Sequence, residues 1–189
     1  MTKRTIAEIE ALLADNTSGN ISPGDLRDAV DSLNNAGWAQ YADTQYTVSS
    51  PFSLSADTDT LIPNNSGATI TTYLPSDVTS FYDGSTISGR TGDSGNITVT
   101  FKALPTSANT TFIEVWFDIG GSEGELYRTL FSFPKGNGVL RTISLSQGYY
   151  NLSTWEANGA TMYVRSNGTA NIYGVRYVID RTSRGSLTS

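Results

Sequence analysis

The residue types that most often carry chemistry are sparse in this chain. Its 189 residues include no Cys and no His. That removes thiol nucleophiles, disulfides, imidazole acid–base catalysis and Cys/His zinc sites together. Two pairs of carboxylates stand close in sequence, Asp57-Thr-Asp59 and Glu123-Gly-Glu125. The first resembles a fragment of a calcium loop, but it lacks the Gly at the sixth position and the Glu at the twelfth that complete one. The second lies in a Gly-rich turn and reads as a solvated loop. Paired carboxylates for glycoside hydrolysis must face each other across a cleft, and no segment suggests that arrangement. The P-loop and Gly-x-Gly-x-x-Gly patterns are absent. No catalytic residue, metal or cofactor is therefore expected, and the chain reads as a binding or structural protein.

Aromatic residues are the other candidates. They make up 11 % of the chain and include Trp38, Trp116, Trp155 and the pair Tyr149-Tyr150. Exposed on a sheet, such rings stack on sugars; more commonly they fill a core or an interface. The charge balance narrows the partners further. Twelve Lys and Arg against eighteen Asp and Glu give a net charge of −6. Nucleic acid is excluded as an expected partner, because phosphates must be neutralised by basic residues.

The elements that position these residues fall into two regions. At the front, Ile6, Ile9, Leu12 and Leu13 share a helical stripe, and Asn16-Thr-Ser-Gly-Asn20 ends it. Ser22 then offers an N-cap, Pro23 a first helical position and Asp25 a weak capping box. Leu26, Ala29, Val30 and Leu33 make the second stripe, closed by Asn34-Asn35-Ala-Gly37. Two helices this short need a partner surface to be stable in water. Glu8 and Glu10 interrupt the apolar residues behind Lys3 and Arg4, so no export signal is expected. No stretch reaches the roughly 20 apolar residues that span a membrane.

From about Gln40 the period changes to two. Ile97, Val99, Phe101 and Ala103 alternate with Thr98, Thr100 and Lys102. Ile113, Val115, Phe117 and Ile119 share one face of the next run, and Phe112, Glu114, Trp116 and Asp118 the other. In the last run Tyr173, Val175, Tyr177 and Ile179 share a face opposite Ile172 and Val178. Turn signals separate the runs, with Asn158-Gly159 and Asn167-Gly168 expected as hairpins. The pattern predicts a mainly β protein, an antiparallel β-sandwich or barrel preceded by a short helical segment. The expected divisions are residues 1–39 (helical front), 40–183 (β body) and 184–189 (tail). Aromatic residues on the second face of two strands, Phe112 and Trp116 on one and Tyr173 and Tyr177 on the other, are candidate subunit contacts.

Two blocks of sequence resemble a known class. The stretch Ile21-Ser-Pro-Gly-Asp-Leu-Arg-Asp-Ala-Val-Asp-Ser-Leu33 is similar to segments near the front of tailed-bacteriophage virion proteins. Phe131-Ser-Phe-Pro-Lys-Gly136, Thr154-Trp-Glu-Ala-Asn-Gly-Ala160 and Asn171-Ile-Tyr-Gly-Val-Arg-Tyr-Val-Ile-Asp-Arg-Thr182 are similar to the C-terminal part of phage head-decoration and fibre proteins. The resemblance implies a trimeric jelly roll without cofactor, made in the bacterial cytoplasm and carried on the outer surface of the phage head. Its partners would be two further copies and the major capsid protein, with Ile6, Ile9, Leu12, Leu13, Leu26, Val30 and Leu33 as assembly contacts. The alternative within the same class is a head, neck or tail fibre that binds a host surface glycan, marked by an exposed cluster of Trp116, Trp155 or Tyr149. A polysaccharide-degrading enzyme is a third and weaker reading.

Overall fold

The computed structural model describes residues 22, 24, 26, 36–134 and 138–184. The expected front helices fall mostly outside these residues, and so do Ile6, Ile9, Leu12, Leu13, Val30 and Leu33. Within the described part, Leu26 donates its backbone N–H to the Ser22 carbonyl at 3.2 Å and is 55 % exposed.

Ten strands and one short helix follow. They are β1 (Gly37–Ala42), β2 (Phe52–Leu54), β3 (Thr60–Leu61), β4 (Ala68–Ile70), β5 (Ser94–Pro105), β6 (Phe112–Asp118), β7 (Glu125–Ser132), β8 (Arg141–Tyr150), α1 (Ser153–Asn158), β9 (Thr161–Ser166) and β10 (Ala170–Ser183). The body thus opens at Gly37, inside the region assigned from sequence to the front segment. The strands form two antiparallel sheets. The larger runs β4-β1-β10-β5-β8, with β2 pairing the first residues of β10; the smaller runs β3-β9-β6-β7. The expected mainly β antiparallel sandwich is what the chain forms.

The inward residues come from strict alternation. In β5, Ile97, Val99, Phe101 and Ala103 are 0–1 % exposed while Asn96 and Lys102 face solvent. Ile113, Val115 and Phe117 of β6 meet them from the smaller sheet at 0–1 % exposure. Each such side chain contributes about 1.5–3 kcal/mol by leaving water. On the outer face of the larger sheet, Thr98 bonds Ser146 at 2.9 Å and Lys102 donates to Thr142 at 2.6 Å. Cross-strand hydroxyl pairs of this kind explain why so many Thr and Ser occupy strands.

Two expectations need correction. Neither Asn-Gly pair makes a hairpin. Asn158-Gly159 closes α1, the Gly159 N–H donating to the Trp155 carbonyl at 2.7 Å. Asn167-Gly168 carries the chain from β9 in the smaller sheet to β10 in the larger one. The Asn167 side-chain oxygen accepts from the backbone N–H of Thr111 and Phe112 at 2.9 and 3.0 Å, and this fixes the crossover. Nor do Tyr173 and Tyr177 share a face. The register of β10 slips between Tyr173 and Arg176 at a β-bulge containing Gly174, whose φ is +63°. Ile172 faces the core before the bulge, and Val175, Tyr177 and Ile179 face it afterwards, all at 0–1 % exposure. A bulge adds one residue to one strand and so reverses the alternation beyond it. The bulge is useful: the Gly174 N–H donates to the Tyr46 carbonyl at 3.1 Å, and the Val175 carbonyl accepts from Asp43 N–H at 2.9 Å. These bonds seat the β1–β2 loop on the strand.

A Cβ at position 174 would meet nothing within 4 Å, so only backbone strain opposes a side chain there. Gly174→Ala should cost about 1 kcal/mol and lower Tm by about 2–4 °C, read by calorimetry. No change in Tm would mean that the bulge relaxes freely.

Candidate functional site: a buried arginine cluster under the 71–93 excursion

Between Ile70 and Ser94 the chain leaves the sheets for a long excursion. Long segments without strands usually have a function of their own. Tyrosines hold this one down. Tyr41 of β1 accepts from the Phe81 N–H at 2.8 Å through its hydroxyl, which also bonds Ser80 Oγ at 2.9 Å. Tyr82 packs edge-on against Tyr41 and Tyr177, with centroids 5.6 and 5.1 Å away. The Tyr82 hydroxyl donates to the Asn64 carbonyl at 3.2 Å, and that of Tyr177 to the Ile62 carbonyl at 3.3 Å. Burial pushes the Tyr82 phenol up to about 12 and the Tyr177 phenol well above its ordinary value. The tip of the excursion is closed by Asp83, which accepts from the N–H groups of Ser85 and Thr86 at 2.8 and 2.7 Å. These bonds, with the Thr86 N–H the largest contributor, hold the Asp83 carboxyl down at about 2.

Below the excursion, alternation along β10 places Arg181 on the inner face after Ile179. Its side chain is 2 % exposed. A guanidinium so deep in the protein must be paired. It donates to Asp77 through Nη2 and to Asp93 Oδ2 through Nη1, the latter at 3.2 Å. Arg90 donates to Asp93 Oδ1 at 2.8 Å and reaches Asp77 at 3.5 Å. Arg184 lies 3.6 Å from Asp77. Guanidinium groups from β10 and its end thus grip both ends of the excursion.

A cavity of about 300 Å³ opens beside the cluster, bounded by residues 77–81, 88–90 and 93, by Tyr149 and Asn151, and by Arg181. Phe81 and Tyr149 supply apolar wall at 5 and 7 % exposure. The Tyr149 hydroxyl donates to the Asp180 carbonyl at 2.9 Å, and burial pushes that phenol up. Asn151 is 2 % exposed, and its side-chain oxygen has no hydrogen-bond partner among the described residues. Sequence reasoning missed this site. Asp77 and Asp93 lie far from Arg181 in the chain, and the only signal was the phase that Arg181 shares with Val175, Tyr177 and Ile179.

The residues singled out from sequence lie elsewhere. The expected exposed cluster of Trp116, Trp155 and Tyr149 does not exist: all three are buried, at 2, 2 and 7 % exposure. Trp155 of α1 donates its indole N–H to the Ile87 carbonyl at 3.0 Å and packs on Tyr149. Trp116 lies on the outer face of the smaller sheet, stacked on Tyr163 at 5.6 Å and covered by the Arg128 guanidinium at 3.7 Å. A second bulge, with Tyr127 at φ +59°, aims Arg128 there, and Glu114 and Glu125 hold it. Phe112 and Tyr173 are half-buried, whereas Tyr177 is in the core at 1 % exposure. Asp57 and Asp59 pair with Arg165 at 3.2 and 3.7 Å. No group of three or more acidic residues among the described residues could hold a metal. Gly120-Gly-Ser122-Glu-Gly124 has the spacing of a nucleophile elbow. That motif needs a strand-to-helix turn; here it joins β6 to β7, and Ser122 Oγ donates to Glu123 at 3.3 Å.

No protein-family model matches the chain. A comparison with curated proteins gives no match. Solved structures are similar in fold. The Eiger TNF of S. frugiperda aligns at 10 % identity over 82 % of this chain and 98 % of that one, with a TM-score of 0.52. The PRD1 vertex protein P5 aligns at 16 % identity over 79 % and 73 %, and the globular domain of zebrafish complement 1qA protein at 7 % over 79 % and 98 %, each with a TM-score of 0.45. The likeness to the Eiger TNF is one of architecture, a two-sheet antiparallel sandwich.

Two outcomes test the cluster. Arg181→Met leaves the buried Asp93 with one fewer partner and takes another from Asp77, and breaking a buried pair in this way costs about 3–5 kcal/mol. Arg90→Gln removes a more exposed partner and should cost under about 1 kcal/mol. Equal losses in denaturant melts would mean that Arg181 is not the anchor. The second concerns Asp83. Its folded value lies below its unfolded value of about 3.8, so its contribution is complete above that pH and fades as pH falls towards about 2. Asp83→Asn should flatten the pH dependence of Tm in that window, and an unchanged acid limb would remove Asp83 from the account.

Proposed function

We propose that this chain is a structural protein of a bacteriophage virion. In this reading it is a capsid decoration (cement) protein, a trimer that binds the assembled head shell from outside and stabilises it. The sequence blocks named above support the reading, the segment at residues 21–33 foremost. The observation that carries it from the structure is the position of the two ends of the body. Gly37 pairs directly with Arg181 across β1 and β10. The start of β1 and the last residues of β10 therefore lie side by side at one end of the sandwich. A body tethered at one end keeps its far end and both outer sheet faces clear of the attachment, as a decoration protein needs.

The mechanism is linkage. A protein that binds only the assembled shell raises the stability of that shell by RT ln(1 + [L]/Kd), about 2.7 kcal/mol when its concentration is 100 times Kd. Joining three copies multiplies weak contacts into tight attachment. The front residues Ile6, Ile9, Leu12, Leu13, Leu26, Val30 and Leu33 are the proposed contacts with neighbouring copies and with the major capsid protein. The role is one of binding, with no catalysis and no cofactor.

Co-sedimentation with undecorated shells of the same phage tests this. The full chain should pellet with shells. A chain lacking residues 1–35, cut ahead of β1, should stay in solution while keeping its strand circular dichroism. Leu26→Ala with Val30→Ala should weaken pelleting at least tenfold. Failure of the full chain to bind would overturn the decoration reading and favour a neck or tail fibre, for which whole-cell binding is the diagnostic.

A further inference from the structure

We propose that β8, the long free edge of the larger sheet, pairs antiparallel with β8 of a second copy of this chain about a two-fold axis at Leu145. The first observation is how the other edges are guarded. An edge strand offers unpaired N–H and C=O groups to another strand, and proteins blunt such edges by shortness, bulges, charge or Pro. β2, β3 and β4 have three, two and three residues. β7 is longer, but the bulge at Tyr127 interrupts it, and Arg128 with Glu114 and Glu125 charges it. β8 has none of these devices. Its 10 residues run opposite β5 without a register shift, and no strand among the described residues pairs with its other side. It contains no Pro, Lys, Asp or Glu, and its single charge is Arg141 at the first position.

The second observation is what stands at the two ends of the strand. Leu140, just ahead of β8, is 47 % exposed, and Tyr150, its last residue, is 66 % exposed. Both are in phase with the exposed residues of the outer face, Thr142, Ser144, Ser146 and Gly148. An antiparallel pairing centred on Leu145 sets Leu140 opposite Tyr150 of the partner subunit, and the same contact recurs at the other end. A two-fold interface must be self-complementary in this way, and aromatic–aliphatic pairs directly across two strands are stabilising. The matched ends favour a second copy over a foreign strand, which has no reason to carry them. Arg141 lies opposite Tyr149 of the partner subunit, so the two Arg141 backbones stand about eight residues, or roughly 27 Å, apart along the seam. Salt screens exposed charges beyond about 10 Å. The Arg141 guanidinium is also turned towards β7, donating to the Ser132 carbonyl.

Gly148 is the third observation. A Cβ there would find its nearest neighbours at 3.6 and 3.9 Å, which is ordinary contact, and its φ is not positive. No contact among the described residues demands Gly at this exposed strand position, where Gly costs stability. Gly inside a strand is used where another backbone approaches closely. The pairing brings Thr142 of the partner subunit to that place and leaves the Tyr150 ring room to lie along the seam. The front residues take no part, so failure of this pairing would leave the decoration reading standing.

Sedimentation of the full chain with substitutions near the axis tests the seam. Ser144 and Ser146 are exposed, so longer side chains fit the folded body. Ser146→Lys puts two like charges on diagonal positions about 7–8 Å apart. It should weaken self-association at least tenfold, read as a fall in mean mass by about half. Ser146→Glu should do the same, and mixing the two variants should restore the wild-type mass. Should either variant fail to fold, cysteine chains give a second reading, since the protein has no Cys of its own. A mixture of Ser144→Cys and Ser146→Cys chains should cross-link under mild oxidation at least tenfold faster than either chain alone. A wild-type mass equal to that of folded Ser146→Lys overturns the proposal and leaves the edge to a foreign strand. It is equally overturned if the mixed charge variants stay as small as their components, or if the mixed cysteine chains cross-link no faster than each alone.

Discussion

Arg181 is the most deeply buried charge among the described residues, and the fold cannot leave it alone. It enters the protein on the inner face of the central strand of the larger sheet, where a guanidinium has no water to solvate it. The carboxylates that neutralise it come from residues 77 and 93, the two ends of the excursion. The excursion therefore cannot lift away without taking from the Arg181 guanidinium the carboxylates that neutralise it. Around this electrostatic anchor the tyrosines supply the packing, and each buried hydroxyl satisfies a carbonyl or an N–H that the irregular backbone would otherwise leave unpaired. The cavity exists because the excursion is pinned at its ends and along its tyrosines but arches between them.

The two sheets solve their surface problem differently. The larger sheet is faced on its outer side by short hydroxyl pairs such as Thr98 with Ser146, which need no charge to be soluble. The smaller sheet carries Trp116 outward and shields it with Tyr163 and Arg128. Arg128 reaches the ring only because a bulge in β7 turns it there, and its pairing with Glu125 holds that carboxyl below its ordinary range. Much of the polar, weakly charged composition is thus the composition of outward strand faces.

Where the sequence was legible, the cause was unbroken alternation. β5 reads directly from Ile97, Val99, Phe101 and Ala103, and β6 from Ile113, Val115 and Phe117. Where it misled, a local device broke the period. One Gly at position 174 reversed the faces of β10, so Tyr177 reads from sequence as a surface residue and lies in the core. Asn167-Gly168 has hairpin chemistry, but its strands belong to different sheets, and a turn signal does not say which strands pair. Trp116 reads as exposed because the cover over it comes from Arg128, on another strand. The candidate site was the least legible, since Arg181 meets partners 88 and 104 residues away in sequence. No local pattern encodes such a meeting.

The central position of β10 also bears on how the protein comes into being. Among the described residues, the strand that β1, β2 and β5 all pair with is also the last in chain order. Until it leaves the ribosome, the larger sheet has no middle, and β1 waits with one edge unpaired. Closure of the sandwich must therefore wait for β10 rather than accompany the synthesis of the strands before it. Pairings of such long sequence separation also form slowly. The nascent body spends that interval open to association with other chains, and a product truncated before Ala170 would never close its sandwich.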